Sequence, residues 1–198
     1  MSITISANDT SFTEPDQSDI VVIGTGDTIT TNNSTIAQSG GSGSTLTVDG
    51  SGNFISAEGY GVEIGINGLG DTVYANSAAI SLTDGSSATI IGSGNTITAD
   101  GIGAISVFGA GEVINADNSS ILIGGSLFSA GSATINGSND TVNVSGAAVS
   151  INGSNDVVHA NSAAISLTDG SSATVIGSGN TITADGIGEI SVFGAWCG

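Results

Sequence analysis

The residues of this chain best able to do chemistry are carboxyl groups and amides at one recurring place in a Gly-rich turn. They are Asp27, Asn53, Asp71, Asn95, Glu112, Asp140, Asp156 and Asn180, preceded by GTG, GSG, GLG, GSG, GAG, GSN, GSN and GSG. Carboxylate oxygens at turns are hard ligands, and the chemistry they offer first is calcium binding. The calcium candidates are Asp27, Asp71, Asp140 and Asp156. The same column holds amides at Asn53, Asn95 and Asn180, which lowers the charge a hard cation would meet. The competing chemistry is hydrogen bonding, because Asp and Asn side chains capture backbone N–H groups in turns.

Catalysis is not expected. Glycoside hydrolysis needs two carboxyl groups set apart at a defined separation, whereas nearly all the acids here sit at repeated turn positions. Asp84, Asp100, Asp169 and Asp185 are each followed by Gly and read as Asp-Gly turns. His159 is the only histidine, and the residue at its place in the other copy of a long internal duplication is Tyr74. A general base must hold and release a proton at one fixed place, so His159 reads as a solvated strand residue. The chain has no expected catalytic residue and no cofactor, with calcium as the one ion its side chains could take.

The elements that must position these turns are strands. After each turn polar and aliphatic residues alternate, as in NTITA from Asn95 and NDTVNV from Asn139. With a period of two, Ile97 and Ala99 share one face and Thr96 and Thr98 the other. Equivalent inward pairs are Val73 with Ala75, Ile114 with Ala116, Val142 with Val144, Val158 with Ala160, and Ile182 with Ala184. Strand centres recur roughly every 7–9 residues, which is a strand plus a tight turn, and no window carries helical spacing. One strand has one inward side, so units this short gain stability only by stacking on neighbours.

The expected fold is therefore all-β: a β-solenoid, either a parallel β-helix or a β-roll, of about ten coils with two or three strands per coil. The sidedness is left open because turn spacings of 16–17 residues, as from Gly92 to Gly109, alternate with 24, as from Gly68 to Gly92. In the longer interval an extra strand near Ala88 to Ile91 would be interposed.

A second level of repetition lies above the strands. Residues 61–110 return at 146–195 with an offset of 85, and Asn76 to Thr89 is repeated unaltered as Asn161 to Thr174. From Ile66 to Ala110 the differences are Leu69/Ser154, Gly70/Asn155, Thr72/Val157, Tyr74/His159, Ile90/Val175 and Ala104/Glu189. Only Ile90/Val175 falls on the expected core, a loss of one methylene that packing tolerates. The organisation is read as an N-terminal cap or arm at 1–19, a single solenoid at 20–195 and a non-repeat tail at 196–198. That tail holds Trp196 and the only cysteine, Cys197, so no internal disulfide can form.

Composition narrows the partners. The chain has eighteen acidic residues and no Lys or Arg, for a formal charge of −18. Nucleic acid is excluded as a partner because phosphate binding requires cations. No apolar segment has the length to span a bilayer, so no membrane insertion is expected. The N-terminal residues lack the basic and apolar regions of a signal peptide. The expected location is extracellular or cell-surface by a route that reads no cleaved N-terminal signal, with the cytosol as the other reading.

The motifs INGSNDTV at 135–142 and VIGSGNTI at 175–182 resemble the repetitive β-strand regions of bacterial surface and secreted proteins, including adhesin-like filler repeats and, more distantly, calcium-binding RTX repeats. The resemblance covers most of 20–195 and implies a structural or adhesive role outside the cell. It departs from the RTX nonapeptide, since Ile135, Asn136 and Ser138 stand where three glycines belong when Asp140 takes the Asp position. The leading expectation is a structural repeat protein of an extracellular fibre, biofilm matrix or surface layer, a homo-oligomer formed by head-to-tail stacking. The alternatives are the stalk of a larger adhesin, an RTX-like β-roll, and an ice-binding solenoid. The last rests on the outward pairs Thr28/Thr30, Thr96/Thr98 and Thr181/Thr183, with Val113/Asn115, Thr141/Asn143 and Val157/His159 read as interruptions.

Overall fold

A computed structural model describes residues 2–99, 101, 103–124, 131–186 and 188–194. The chain alternates between two walls, one strand in each. The first coils comprise β1 Ser2–Ile5 and β2 Ser11–Thr13; β3 Asp19–Val22 and β4 Asp27–Thr30; β5 Thr35–Gln38 and β6 Thr45–Asp49; β7 Phe54–Ala57 and β8 Glu63–Asn67. Next come β9 Asp71–Tyr74 and β10 Ala79–Leu82; β11 Ser87–Ser93 and β12 Thr96–Ala99; β13 Ala104–Ala110 and β14 Glu112–Ala116; β15 Ser120–Gly124 and β16 Gly131–Ser138. The last are β17 Thr141–Ser145 and β18 Ala147–Ser154; β19 Asp156–Asn161 and β20 Ala164–Leu167; β21 Ala173–Ile176 and β22 Thr181–Ala184; and β23 Ile190–Phe193.

The odd-numbered strands form a 12-stranded sheet and the even-numbered ones an 11-stranded sheet, in chain order throughout. Neighbouring strands pair in parallel, as β10 with β8 and β12. This is a two-sided β-solenoid of about 11 turns, and at about 4.8 Å per coil the rod is about 50 Å long. Among the described residues no third strand enters a coil. The 24-residue interval between Gly68 and Gly92 is a coil and a half: the first turn opens β9 in one sheet and the second leads into β12 in the other. The strand expected as an insertion, Ala88 to Ile91, lies within β11.

Between the walls the core is a stack of like side chains. One ladder runs Leu46, Ile64, Ile80, Ile97, Ile114, Ile135, Ile151 and Leu167. The facing sheet supplies Ile20, Ile36, Ile55, Val73, Ile90, Val107 and Ile123. All are buried. Each contributes on the order of 1.5–3 kcal/mol of transfer free energy. The inward pairs expected from the alternation are buried, except at the C-terminal coil. There Ile182 is half-buried and Ala184 exposed, because among the described residues β22 has a neighbour on one side only.

Within the segment expected as a cap or arm, β1 and β2 pair with β3 and β4, so its described strands form the first coil itself. The tail at 196–198 lies outside the described residues. The 85-residue offset carries the chain through five coils, from β9 to β19, and back to the same sheet. It does not return to the same column. Following the register from Asp71 leads through Ala88, Ile105, Ile121 and Val142 to Val158, two residues past Asp156.

Candidate functional site: corner columns of buried carboxyls and amides

Adjacent coils approach closely at the Gly-rich turns. A Cβ placed on Gly68, Gly109 or Gly153 would overlap the carbonyl oxygen of Gly50, Gly92 or Gly137 in the coil before. That contact draws the following acid or amide inside the corner rather than leaving it on the surface. Asp27, Asn53, Asp71, Asn95, Glu112, Asp140 and Asp156 are all buried, with at most 1% of their surface exposed, and Asn180 is half-buried.

One oxygen of each takes an N–H from the preceding coil. Thr10 N donates to Asp27 Oδ1 at 3.1 Å, Asn53 N to Asp71 Oδ1 at 2.7 Å and Asn95 N to Glu112 Oε2 at 2.8 Å. Ser119 N donates to Asp140 Oδ1 at 2.8 Å, and Asp140 N to Asp156 Oδ1 at 2.9 Å. The amide members accept in the same way: Ser34 N donates to Asn53, Ala78 N to Asn95 and Ala163 N to Asn180, at 3.0–3.1 Å. The hydrogen-bonding role foreseen for this column is thus what the structure shows.

The second atom of each group separates the two residue types. In the amides, Nδ2 donates to a backbone carbonyl: Asn53 to Thr31 O at 3.0 Å, Asn95 to Ala75 O at 2.9 Å and Asn180 to Ala160 O at 2.7 Å. In the acids the matching oxygens, Oδ2 of Asp27, Asp71, Asp140 and Asp156 and Oε1 of Glu112, are buried with no partner. Burial raises the carboxyl pKa of Asp71, Glu112 and Asp156 against the lowering effect of the N–H bonds. Asp140 is pushed up to about 7, chiefly by burial and further by the charges of Asp156 and Asp117.

For calcium, what the fold delivers to each candidate is an amide N–H rather than a shell of oxygens. Among the described residues no three His, Cys, Asp or Glu side chains converge as a metal-binding group. Asp140 and Asp156 come together in adjacent coils, and Asp27 and Asp71 belong to different sheets. Asp84 and Asp169 occupy exposed turns closed by Ser86 N to Thr83 O at 2.9 Å and Ser171 N to Thr168 O at 3.1 Å. Asp100 lies outside the described residues.

His159 is exposed on the outer face of β19, between Asn143 and Ile176 in register. Tyr74 holds the matching outward place on β9, where its ring lies 4.8 Å from that of Phe54. Because the site is exposed and the duplicated strand carries Tyr, His159→Tyr is expected to change stability by no more than about 0.5 kcal/mol. Urea unfolding followed by circular dichroism checks this.

The outward Thr pairs are less regular than their sequence interruptions implied, and for another reason. Thr141/Asn143 and Val157/His159 belong to the other sheet and interrupt nothing. In the sheet that holds Thr28 and Thr98, the column runs Thr28, Thr47, Gly65, Ser81, Thr98, Asn115. Sequence reading missed the amide ladder that continues it: Asn136 Nδ2 donates to Asn115 Oδ1 at 2.8 Å, Asn152 Nδ2 to Asn136 Oδ1 at 3.2 Å and Thr168 Oγ1 to Asn152 Oδ1 at 3.0 Å. The signal was the 16-residue spacing between the last two of three ING triplets, at Ile135 and Ile151, equal to one coil.

Compared with known protein families, curated proteins and solved structures, the chain finds no match.

Proposed function

We propose that the chain is a structural unit of a bacterial extracellular fibre, biofilm matrix or surface layer, and that it assembles by stacking coils end to end. The observation that carries this reading is the pairing of coil on coil: in both sheets neighbouring strands are in chain order and parallel, so each coil offers the next a row of backbone groups and an apolar strip. Among the described residues β22 and β23 pair on one side only, with Ile182 and Ile190 half-buried and Val192 and Phe193 43% and 61% exposed. The repeated apolar core and the chain's lack of any Lys or Arg agree with a scaffold role outside the cell.

Charge sets the conditions. With −18 on a rod about 50 Å long, self-repulsion opposes stacking at low salt, and screening relieves it. Sedimentation and electron microscopy under reducing conditions should therefore show rods that lengthen in whole-subunit steps as salt rises. Val192→Lys with Phe193→Lys should abolish the steps while leaving the β-sheet spectrum unchanged. Monomers alone across salt and calcium series, or steps that survive the double substitution, would refute the reading.

A further inference from the structure

We propose that the buried carboxyls of Asp71, Glu112, Asp140 and Asp156 are held as neutral acids, each donating its O–H to the backbone of the coil before it, so that the solenoid tightens on protonation and loosens on ionisation. The argument rests on the chain's own substitution of amides at the same corners. In Asn53 and Asn95 one side-chain atom accepts an N–H and the other donates to a carbonyl. A carboxylic acid can reproduce both contacts, whereas a carboxylate, which only accepts, cannot. In these four acids the atom that corresponds to that donor is the orphaned oxygen, 3.0–3.2 Å from where a Cβ would stand on the turn glycine three residues before it. The turn glycines stack on the carbonyls of Gly50, Gly92, Ala116 and Gly137 at these four acids, as they stack on those of Thr31 and Ala75 at Asn53 and Asn95.

Nothing in the chain offers a counter-charge. It has no Lys or Arg, and His159 points outward from β19. Asp71 is flanked in register by Asn53 and Ala88, and Glu112 by Asn95 and Ala133. Asp140 and Asp156 face one another across the coil spacing, with Asp117 the other acid acting on both. None of these neighbours is cationic; the hydrogen bonds donated from the coil before favour the ionised form, and burial outweighs them at all four acids. Asp27 has the same geometry, but its partner Thr10 lies in the half-buried first coil.

The sign follows from linkage. Acids held neutral in the fold ionise at a lower pH once the chain unfolds, so the unfolded state binds fewer protons between the two values. Their contribution is complete below the ordinary carboxylate range near pH 4, falls as pH rises through the folded values, and is gone above them. On ionisation the proton passes to solvent and the carbonyl loses its donor.

The test compares the full chain with the quadruple variant Asp71→Asn, Glu112→Gln, Asp140→Asn, Asp156→Asn in urea unfolding from about pH 4 to pH 8. The fifteen or so other ionisable groups give both chains a common charge-repulsion slope, so the difference isolates these four. Wild type should lose stability more steeply, and at pH 8 the variant should have a folded-to-unfolded ratio at least about tenfold higher, the equivalent of one unit of pKa shift at one site. Infrared spectra of wild type near pH 6 should show protonated-carboxyl absorption that the variant lacks, a readout that stands even if the variant misfolds. Equal pH slopes, or no protonated band, would overturn the proposal. So would restoration of wild-type stability at pH 8 by millimolar calcium, since a cation would then be the occupant.

Discussion

Gly153→Ala is expected to destabilise the solenoid by about 3 kcal/mol or more, the upper end of overpacking costs. The reason is not backbone conformation. The added Cβ would overlap the Gly137 carbonyl oxygen in the coil beneath, and the next neighbours are that carbonyl's carbon and Asp156 Oδ2. A backbone carbonyl locked in a parallel ladder cannot swing aside as a side chain can, so the two coils must part. Their separation would also strain the Asp140 N to Asp156 Oδ1 bond next to it. Gly70→Asn is the matching control. Gly70 has φ +71 and nothing within 4 Å of a built Cβ, and the duplicate already places Asn155 there with φ 62. Asn tolerates that left-handed conformation, so its cost should stay within about 0.5 kcal/mol. Equal effects of the two substitutions in urea unfolding would show that close coil approach is not what the first glycine provides.

Ile97→Ala should cost about 3–4 kcal/mol, and Ile182→Ala less than about 1 kcal/mol. The two residues sit in identical TITA strands related by the duplication. Ile97 is fully buried between Ile80 and Ile114, so truncation leaves a cavity walled by coils on both sides. Ile182 has Ile165 on one side and, among the described residues, no strand on the other. In a stacked array stability is carried by nearest-neighbour interfaces, so a residue with one interface carries less than a residue with two. Separate measurement of both variants at low salt, where stacking is opposed, checks this. If Ile182→Ala proved as costly as Ile97→Ala, the terminal coil would have to be covered in solution.

Much of this architecture is legible in the residues because its two signals are local. Gly-rich turns mark where the chain must bend, and alternation marks which side chains enter the core, so Val73, Ile97, Ile114 and Val158 are identified correctly. Sidedness is less legible because half the corners carry no Gly-x-Gly signal. The turn before β10, for example, is built from Asn76, Ser77 and Ala78, with Ser77 at φ 54. The burial of the corner acids is hidden for a different reason. An Asp at a turn has the same sequence appearance whether its second oxygen meets water or is buried in the corner, and only the coil stacking decides. The free interchange of Asp, Asn and Glu at that position, in a chain without cations, was the available clue, since an amide replaces a neutral acid better than it replaces a charge.

The two-residue displacement between the copies of the duplication appears on both walls: Ile80 leads in register to Leu167, two residues past its duplicate Ile165. The chain runs along the two walls of a coil in opposite directions, so an equal lag on both is a circulation of the sequence around the coil and not a sideways shift of the rod. Because the step is even, residues that face the core in one copy still face it in the next. Tandem copying of such a unit can thus slide its turns around the perimeter without turning the core out.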